Sequence, residues 1–403
     1  MTQHPATVPV HSDGSDGSDA PGPAHETTTA STSRLVGMDL ARGLAVFGMY
    51  AAHVGPDPGE QGLTGFLMEL TRGRSSALFA FLAGFAVVLI TGRTVPRTGR
   101  AGRQAITRVV IRALILLVAG TALTMTGTWV EVILAFYGLY FLLVLPLYRL
   151  RSGPLAMIAA GTALVLPQVL YLVQPAVGER DFGAPAGADG LLSLLFTGSY
   201  PALSWIPYVI AGMAVARLDL TSATLRVRLA LTGVAAAILG YGGSWLALHL
   251  VPGALASIRE SGWGGDAASA WWSDTAGYPT GDTPAWLLAA SPHSETTLSI
   301  VGNTGVALAV LATCLIAMDA SPLLRTLARP VVAVGTMSLT AYVLHIIGIW
   351  ALDLEGLTGS PLHVLLGFIA AMTLFAVLWS RYFSRGPLEW LMAKGSGLAR
   401  HVR

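Results

Sequence analysis

The sequence predicts an all-α fold, a polytopic membrane bundle of about ten transmembrane helices with both termini inside (N-in/C-in). Three observations carry this. The 403 residues are 53% hydrophobic and only 11% charged, whereas soluble domains are about one quarter charged. Apolar runs near the twenty residues that a spanning helix needs recur along the chain. The basic residues fall on alternate connections between those runs, as they do where positive charge stays cytoplasmic.

Residues 1–33 come first and differ from the rest. The stretch H-S-D-G-S-D-G-S-D-A-P-G-P and the following T-T-T-A-S-T-S have no apolar periodicity, so a disordered cytoplasmic tail is expected. There is no Lys or Arg before Arg34 and no apolar core, so the tail does not read as a secretory signal. Ten candidate spans follow at 35–54, 76–91, 109–127, 129–148, 154–173, 201–216, 229–250, 297–318, 331–352 and 362–383. The second is short and needs flanking residues to cross. Long connections at 174–200 and 251–296 are rich in Gly, Pro, Ala, Trp and acidic residues. The expected organisation is a transmembrane domain over 34–385 and a cytoplasmic interfacial segment over 386–403.

Alternating the connections sorts the charges. One side collects Arg34, Arg93, Arg97, Arg100, Arg103, Arg108, Arg149, Arg151, Arg217, Arg226, Arg228, Arg325, Arg329, Arg381, Arg385, Lys394, Arg400 and Arg403. The other holds Arg72, Arg74, Arg180 and Arg259, while Arg42 and Arg112 lie inside spans. The crowded side is therefore cytoplasmic, in a multi-pass protein expected in the plasma membrane. An odd number of spans would place the C-terminal basic cluster outside. Cys314 is the single cysteine, which leaves no disulfide frame and no cysteine metal site. The histidines show no metal spacing, no glycine loop suited to phosphate appears, and nothing points to nucleic acid.

Span one contains what hydrocarbon should not tolerate: Asp39, Arg42 and His53. Asp39 precedes Arg42 by three residues, within pairing distance on one face. Eleven residues of helix bring His53 to within about 20° of Arg42, roughly 16 Å further along the axis. An arginine in the apolar part of a spanning helix costs about 2.5–3.5 kcal/mol, and such residues normally face a protein interior or a wet cavity.

Arg42-x10-His53 resembles the motif of the acyltransferase-three superfamily of membrane enzymes. Asp39-L-A-Arg42-Gly43 also resembles the opening of the heparan-glucosaminide N-acetyltransferase family and its bacterial YeiB-like relatives. Gly73-R-S-S-A-L-F-A-F-L-A-Gly84, Gly335-T-M-S-L-T-A-Y-V-L-His345 and Arg385-G-P-L-E-Trp390 favour the YeiB-like branch. The resemblance implies transfer of an acyl group, acetyl in the named family, from a cytosolic acyl-CoA to an acceptor on the outer side. The acyl-CoA would be a substrate, with no cofactor bound tightly, and the acceptor a hydroxyl or amine of a glycan or glycoconjugate. One departure stands out. The lysosomal enzymes are thought to use a histidine in the loop after the first span, and residues 54–75 contain none. His53 would be the equivalent by proximity, not by aligned position.

Acyl transfer needs a base that titrates near the working pH, which fits His53; an interfacial histidine at a helix end is the plainer alternative. Arg42 would polarise the thioester carbonyl or hold a donor phosphate, or form a structural ion pair with Asp39. Arg72, Arg74, Ser75 and Ser76 precede span two on the outer face, where a helix start favours anions; they would dock an anionic acceptor or anchor lipid headgroups. Ser338, Tyr342 and His345 form a polar stripe in span nine and make His345 the second catalytic candidate, against interhelical hydrogen bonding. Glu131 would orient His53 or pair with Arg74, and His293 in S-P-H-S-E would line an outer vestibule. The cluster Arg93 to Arg112 would attract a polyanionic donor or anionic lipid. A transporter or flippase using the same buried polar stripe is the rival class. The oligomeric state is open, with a homodimer as one arrangement.

Overall fold

A computed structural model describes residues 26–60, 62–177, 190–261, 266–273, 283–354 and 359–402, with side chains from residue 36 onward. Helix makes up 79% of the structure, and no strand occurs among the described residues. The helices are α1 (Glu26–Val54), α2 (Leu63–Thr71), α3 (Arg74–Thr91), α4 (Gly99–Thr124), α5 (Leu134–Val144), α6 (Ser152–Val177), α7 (Ala202–Ala216), α8 (Ala223–Ala237), α9 (Gly243–Leu250), α10 (Ala254–Ser261), α11 (Thr297–Ala320), α12 (Pro322–Thr336), α13 (Ser338–Ala351), α14 (Leu362–Ser380) and α15 (Pro387–Ser396). Six stretches are long and apolar enough to cross a bilayer, or seven if α12 and α13 count as one bent span. They are Leu63–Thr91, Gly99–Thr124, Ser152–Val177, Ala223–Leu250, Thr297–Ala320 and Leu362–Ser380. The tail boundary moves: α1 begins at Glu26 instead of after residue 33, and residues 1–25 lie outside the described residues.

Helix α1 is the centre of the bundle and packs against α3, α11, α12, α13 and α14. Its contact with α12 depends on having no side chain at Gly335, where a Cβ would lie 1.8 Å from the carbonyl oxygen of Asp39. The backbone that carries Asp39 and Arg42 is thereby set directly against the helix leading to α13. At the opposite flank α3 meets α7 with equal closeness, since a Cβ on Gly212 would lie 1.8 Å from Phe81 O.

Two expected spans are corrected. The run 331–352 is apolar throughout but is not one helix: α12 and α13 meet at 76°. Met337 between them leaves helical geometry, with φ −126° and ψ 39°. A helix beginning inside an apolar bundle leaves its first N–H groups without partners, which hydrocarbon penalises strongly. Glu389 on α15 supplies them: one carboxylate oxygen accepts from Leu339 N–H (2.8 Å) and Thr340 N–H (3.1 Å), and the other from the Thr340 hydroxyl (2.6 Å). The run 129–148 begins its helix late, at Leu134. Residues 129–133 form an irregular strap, because Ile133 N–H is donated to the Tyr342 hydroxyl (3.1 Å) and the Glu131 carboxylate accepts from Ser199.

The connection 251–296 has structure of its own. Helix α10 and short turns bury Ile258, Ala270, Trp286 and Ala289 in a second small core beyond the end of α9. The expected crowding of basic residues at one end is tied together by hydrogen bonds. Arg217 donates to the carbonyls of Gly92, Arg93 and Tyr148, and Arg226 pairs with Asp319. These carbonyls lie where α3 and the short turn after α5 finish, ends that favour a cation.

Candidate active site

Helix α1 presents Asp39, Arg42, Tyr50 and His53 in sequence. The ion pair expected from the spacing forms, with Arg42 Nη1 3.0 Å from Asp39 Oδ1, the two side chains 22% and 20% exposed. One helical span further, half-buried His53 meets buried His345 of α13, with Nδ1 of the first 2.9 Å from Nε2 of the second. The two rings lie parallel, 7° apart in plane with centroids 5.2 Å apart. The structure therefore joins the first and second candidate histidines, 292 positions apart in the chain.

The hydrogen bonds set the tautomers. His345 Nδ1 faces the carbonyl oxygen of Tyr342, and a carbonyl only accepts, so Nδ1 of the neutral ring carries the proton. His345 Nε2 is then the lone-pair nitrogen and accepts from His53 Nδ1–H. The proton on His53 Nδ1 leaves the lone pair on His53 Nε2, the tautomer a general base requires. Tyr50 packs against His345 at 4.8 Å with the two rings tilted by 33°, and it donates its hydroxyl to Ala341 O (2.8 Å), while Trp129 meets His53 edge-on at 6.3 Å. His293 and Arg72 are close enough to act electrostatically on His53.

Two cavities lie close by: His345 lines one, and Tyr342, edge-on to His345 at 5.1 Å, lines the other. The first, of about 210 Å³, is lined by Arg42, Arg112, Tyr137, Ser338, Tyr342 and Glu389 among apolar residues. Arg112 Nε is buried there without a hydrogen-bond partner among the described residues, and Arg42, Arg108 and Arg385 add like charge around it. The second is a groove of about 620 Å³ lined by Tyr50, His345, Gly348, Phe368 and Met372. The stripe expected on span nine thus divides: Ser338 and Tyr342 face the cationic cavity, and His345 the groove.

The outer anion site is corrected. Arg74 is buried, and its guanidinium donates to Glu69 O (2.9 Å) and Trp272 O (2.6 Å) while lying 4.9 Å over the Tyr241 ring. That arginine fastens the 251–296 connection to α2. Ser75 packs its hydroxyl against α1 at Gly48, and Ser76 is buried with its carbonyl facing the Tyr137 hydroxyl at 3.4 Å. Neither serine caps α3, whose N-cap is Gly73 with φ 64°. Of the two arginines, Arg72 is the one close enough to act electrostatically on His53. Glu131 contributes its main-chain carbonyl to the Tyr342 hydroxyl (3.5 Å) and its carboxylate to Ser199.

Sequence reasoning missed Tyr50 and Glu389 and placed Arg112 inside a span, as a member of the Arg93 to Arg112 cluster. Tyr50 stands three residues before His53 and so on its face of α1, a spacing that could have found it. Glu389 lies inside the R-G-P-L-E-W element. His293 packs beside Tyr200 (5.5 Å), with φ 56°, on a loop where Glu295 also has φ 56° and accepts from Trp205 Nε1 (2.8 Å). Among the described residues no three of His, Cys, Asp and Glu gather as a metal site.

Residues 34–251 match the family described as heparan-alpha-glucosaminide N-acetyltransferase, catalytic. Residues 268–398 match the family described as protein of unknown function (DUF418), the YeiB-like group. No curated protein matches the chain. The first match carries His53 and the second His345, so the histidine pair forms across the two matched regions.

Proposed function

The chain belongs to the heparan-alpha-glucosaminide N-acetyltransferase catalytic family, and on that premise we propose that it is an integral membrane acyltransferase. In this reading ten passes, including α1, α5, α7 and the bent pair α12–α13, cross the plasma membrane with both termini in the cytoplasm. An acyl-CoA donor, acetyl-CoA in the first instance, enters from the cytoplasmic end. Its phosphates are held by Arg42 and Arg112, and its thioester reaches past Ser338 and Tyr342 towards the histidines. The acceptor is a hydroxyl or amine of a glycan or glycoconjugate at the outer end.

The observation that carries the reading is the tautomer chain from Tyr342 O through His345 to His53. His53 Nε2 takes the proton of the acceptor as its oxygen or nitrogen attacks the thioester carbon. The C–S bond breaks, and the imidazolium returns that proton to the departing thiolate, leaving acyl ester or amide and free coenzyme A. His345 holds the ring in the productive tautomer and supports the imidazolium through Nε2, a positioning role like that of the orienting group in a catalytic triad. Arg42 and Asp39 stay paired and supply fixed charge on the donor side.

The test is turnover of acetyl-CoA by the purified protein in detergent, read as free thiol. His53→Ala should lower it by about 10²–10⁴, the range for loss of a general base, with the thermal midpoint retained. No thioester turnover, together with solute movement in sealed vesicles, would instead establish a transporter.

A further inference from the structure

We propose that the acceptor is an amphiphile taken from the bilayer, its hydrocarbon tail lying in the groove between α13 and α14 and its head group meeting His53. This rests on the acyl-transfer reading and names the class of molecule that receives the group. The groove holds about 620 Å³, within the roughly 300–1,000 Å³ of small-molecule sites. Its walls are Leu344, Gly348, Leu352, Val364, Phe368 and Met372. Polar character enters only through Tyr50 and His345, and the Tyr50 hydroxyl is already committed to Ala341 O. A sugar or nucleotide buried there would lose water without gaining partners, which is unfavourable, whereas a hydrocarbon chain loses nothing.

The mouth faces the same way. Leu344, Leu352, Gly367 and Ala371 line the groove and are exposed, among Ile347, Trp350, Leu366 and Leu374, which form an apolar outer belt on the same two helices. A tail therefore enters sideways from lipid. The groove follows the C-terminal half of α13 and α14 from Val364 to Phe375, beginning at the end of the bundle where α1 finishes with His53 and Val54. His345, at its inner edge, is hydrogen-bonded to His53. A chain seated here has its head at the histidine pair. The cavity that Tyr342 lines is cationic, so the two chambers suit different molecules: a polyanionic donor in one and a lipid tail in the other.

The probe is dodecyl glucoside with a diazirine in its tail, photolysed with the full protein in nanodiscs and mapped by mass spectrometry. Labelling should concentrate on 344–354 and 364–375 and be displaced by unlabelled dodecyl glucoside but not by methyl glucoside. A Cβ at Gly367 meets nothing within 4 Å, so Gly367→Trp fills the groove without displacing backbone and should cut labelling at least fivefold. Ala371→Trp provides a second obstruction should the first fold poorly. Labelling spread evenly around the apolar belt, or indifferent to both tryptophans, would overturn the proposal and leave the groove to bulk lipid. Acetyl-CoA turnover is read on the same preparation. Specific labelling without turnover strikes the acyl-transfer reading, and even labelling with turnover strikes this one alone.

Discussion

Replacing His345 separates a positioning partner from a packing residue. In His345→Ala the Nδ1–H of His53 loses its acceptor at 2.9 Å, and the carbonyl of Tyr342 loses the donor that faced it. A neutral hydrogen bond is worth about 0.5–1.5 kcal/mol net, so the held tautomer of His53 is disfavoured by roughly that amount. At 1.4 kcal/mol per factor of ten, this alone is about a twofold to twelvefold loss in kcat. It should be far less than the loss in His53→Ala and should leave KM for the donor nearly unchanged. His345→Gln places an amide oxygen near the former Nε2, so it can accept from His53 and should recover most of the loss. The assay is initial-rate acetyl-CoA turnover by all three variants, with thermal midpoints as a folding control. If Gln and Ala are equally impaired, or if Ala matches the parent protein, the tautomer argument is wrong.

Three further outcomes test the frame around the site. Glu389→Ala leaves Leu339 N–H, Thr340 N–H and the Thr340 hydroxyl without their acceptor; at about 1–3 kcal/mol per unsatisfied buried group, less what water restores, it should destabilise by about 3 kcal/mol. Glu389→Gln, which still accepts both N–H groups, should cost about one third of that by differential scanning fluorimetry; equal midpoints for all three proteins would refute the capping role. Gly335→Ala forces α12 away from Asp39 O and should cost about 3 kcal/mol through overpacking, seen as a lower midpoint and lower yield of folded protein. Arg74→Met abandons the carbonyls of Glu69 and Trp272 and should lower stability by about 1–3 kcal/mol. Because Arg74 is buried away from the acceptor path, the relative rates with charged and neutral acceptors should not change, whereas an anion-docking arginine would shift them.

The bundle was legible in the sequence because its signals are local. A run of apolar residues and the sign of the charge beside it record burial in lipid whatever the neighbours do. The Asp39–Arg42 pair was legible for the same reason, since three residues of helix decide it. The break at Met337 was hidden because 331–352 is uniformly apolar and the group that makes a new helix start tolerable, Glu389, lies on another helix. Arg74 looked like an exposed anion site because charge near the end of a span normally meets water. What buries it is Trp272 and Tyr241, brought over by a connection whose composition carries no period. His53 and His345 were each singled out on their own helices, yet nothing in either segment records that they touch.

That contact has a bearing on biogenesis. The imidazole of residue 53 is synthesised early, and its mate arrives almost three hundred residues later, on a helix whose start is in turn secured by α15. While the ribosome is still working, the first helix holds a ring with no defined protonation pattern and no enclosed chamber around it. If the proposed acyl transfer holds, competence to cleave a thioester emerges as the last event of assembly, and a stalled or clipped chain would be inert instead of wasting donor on water.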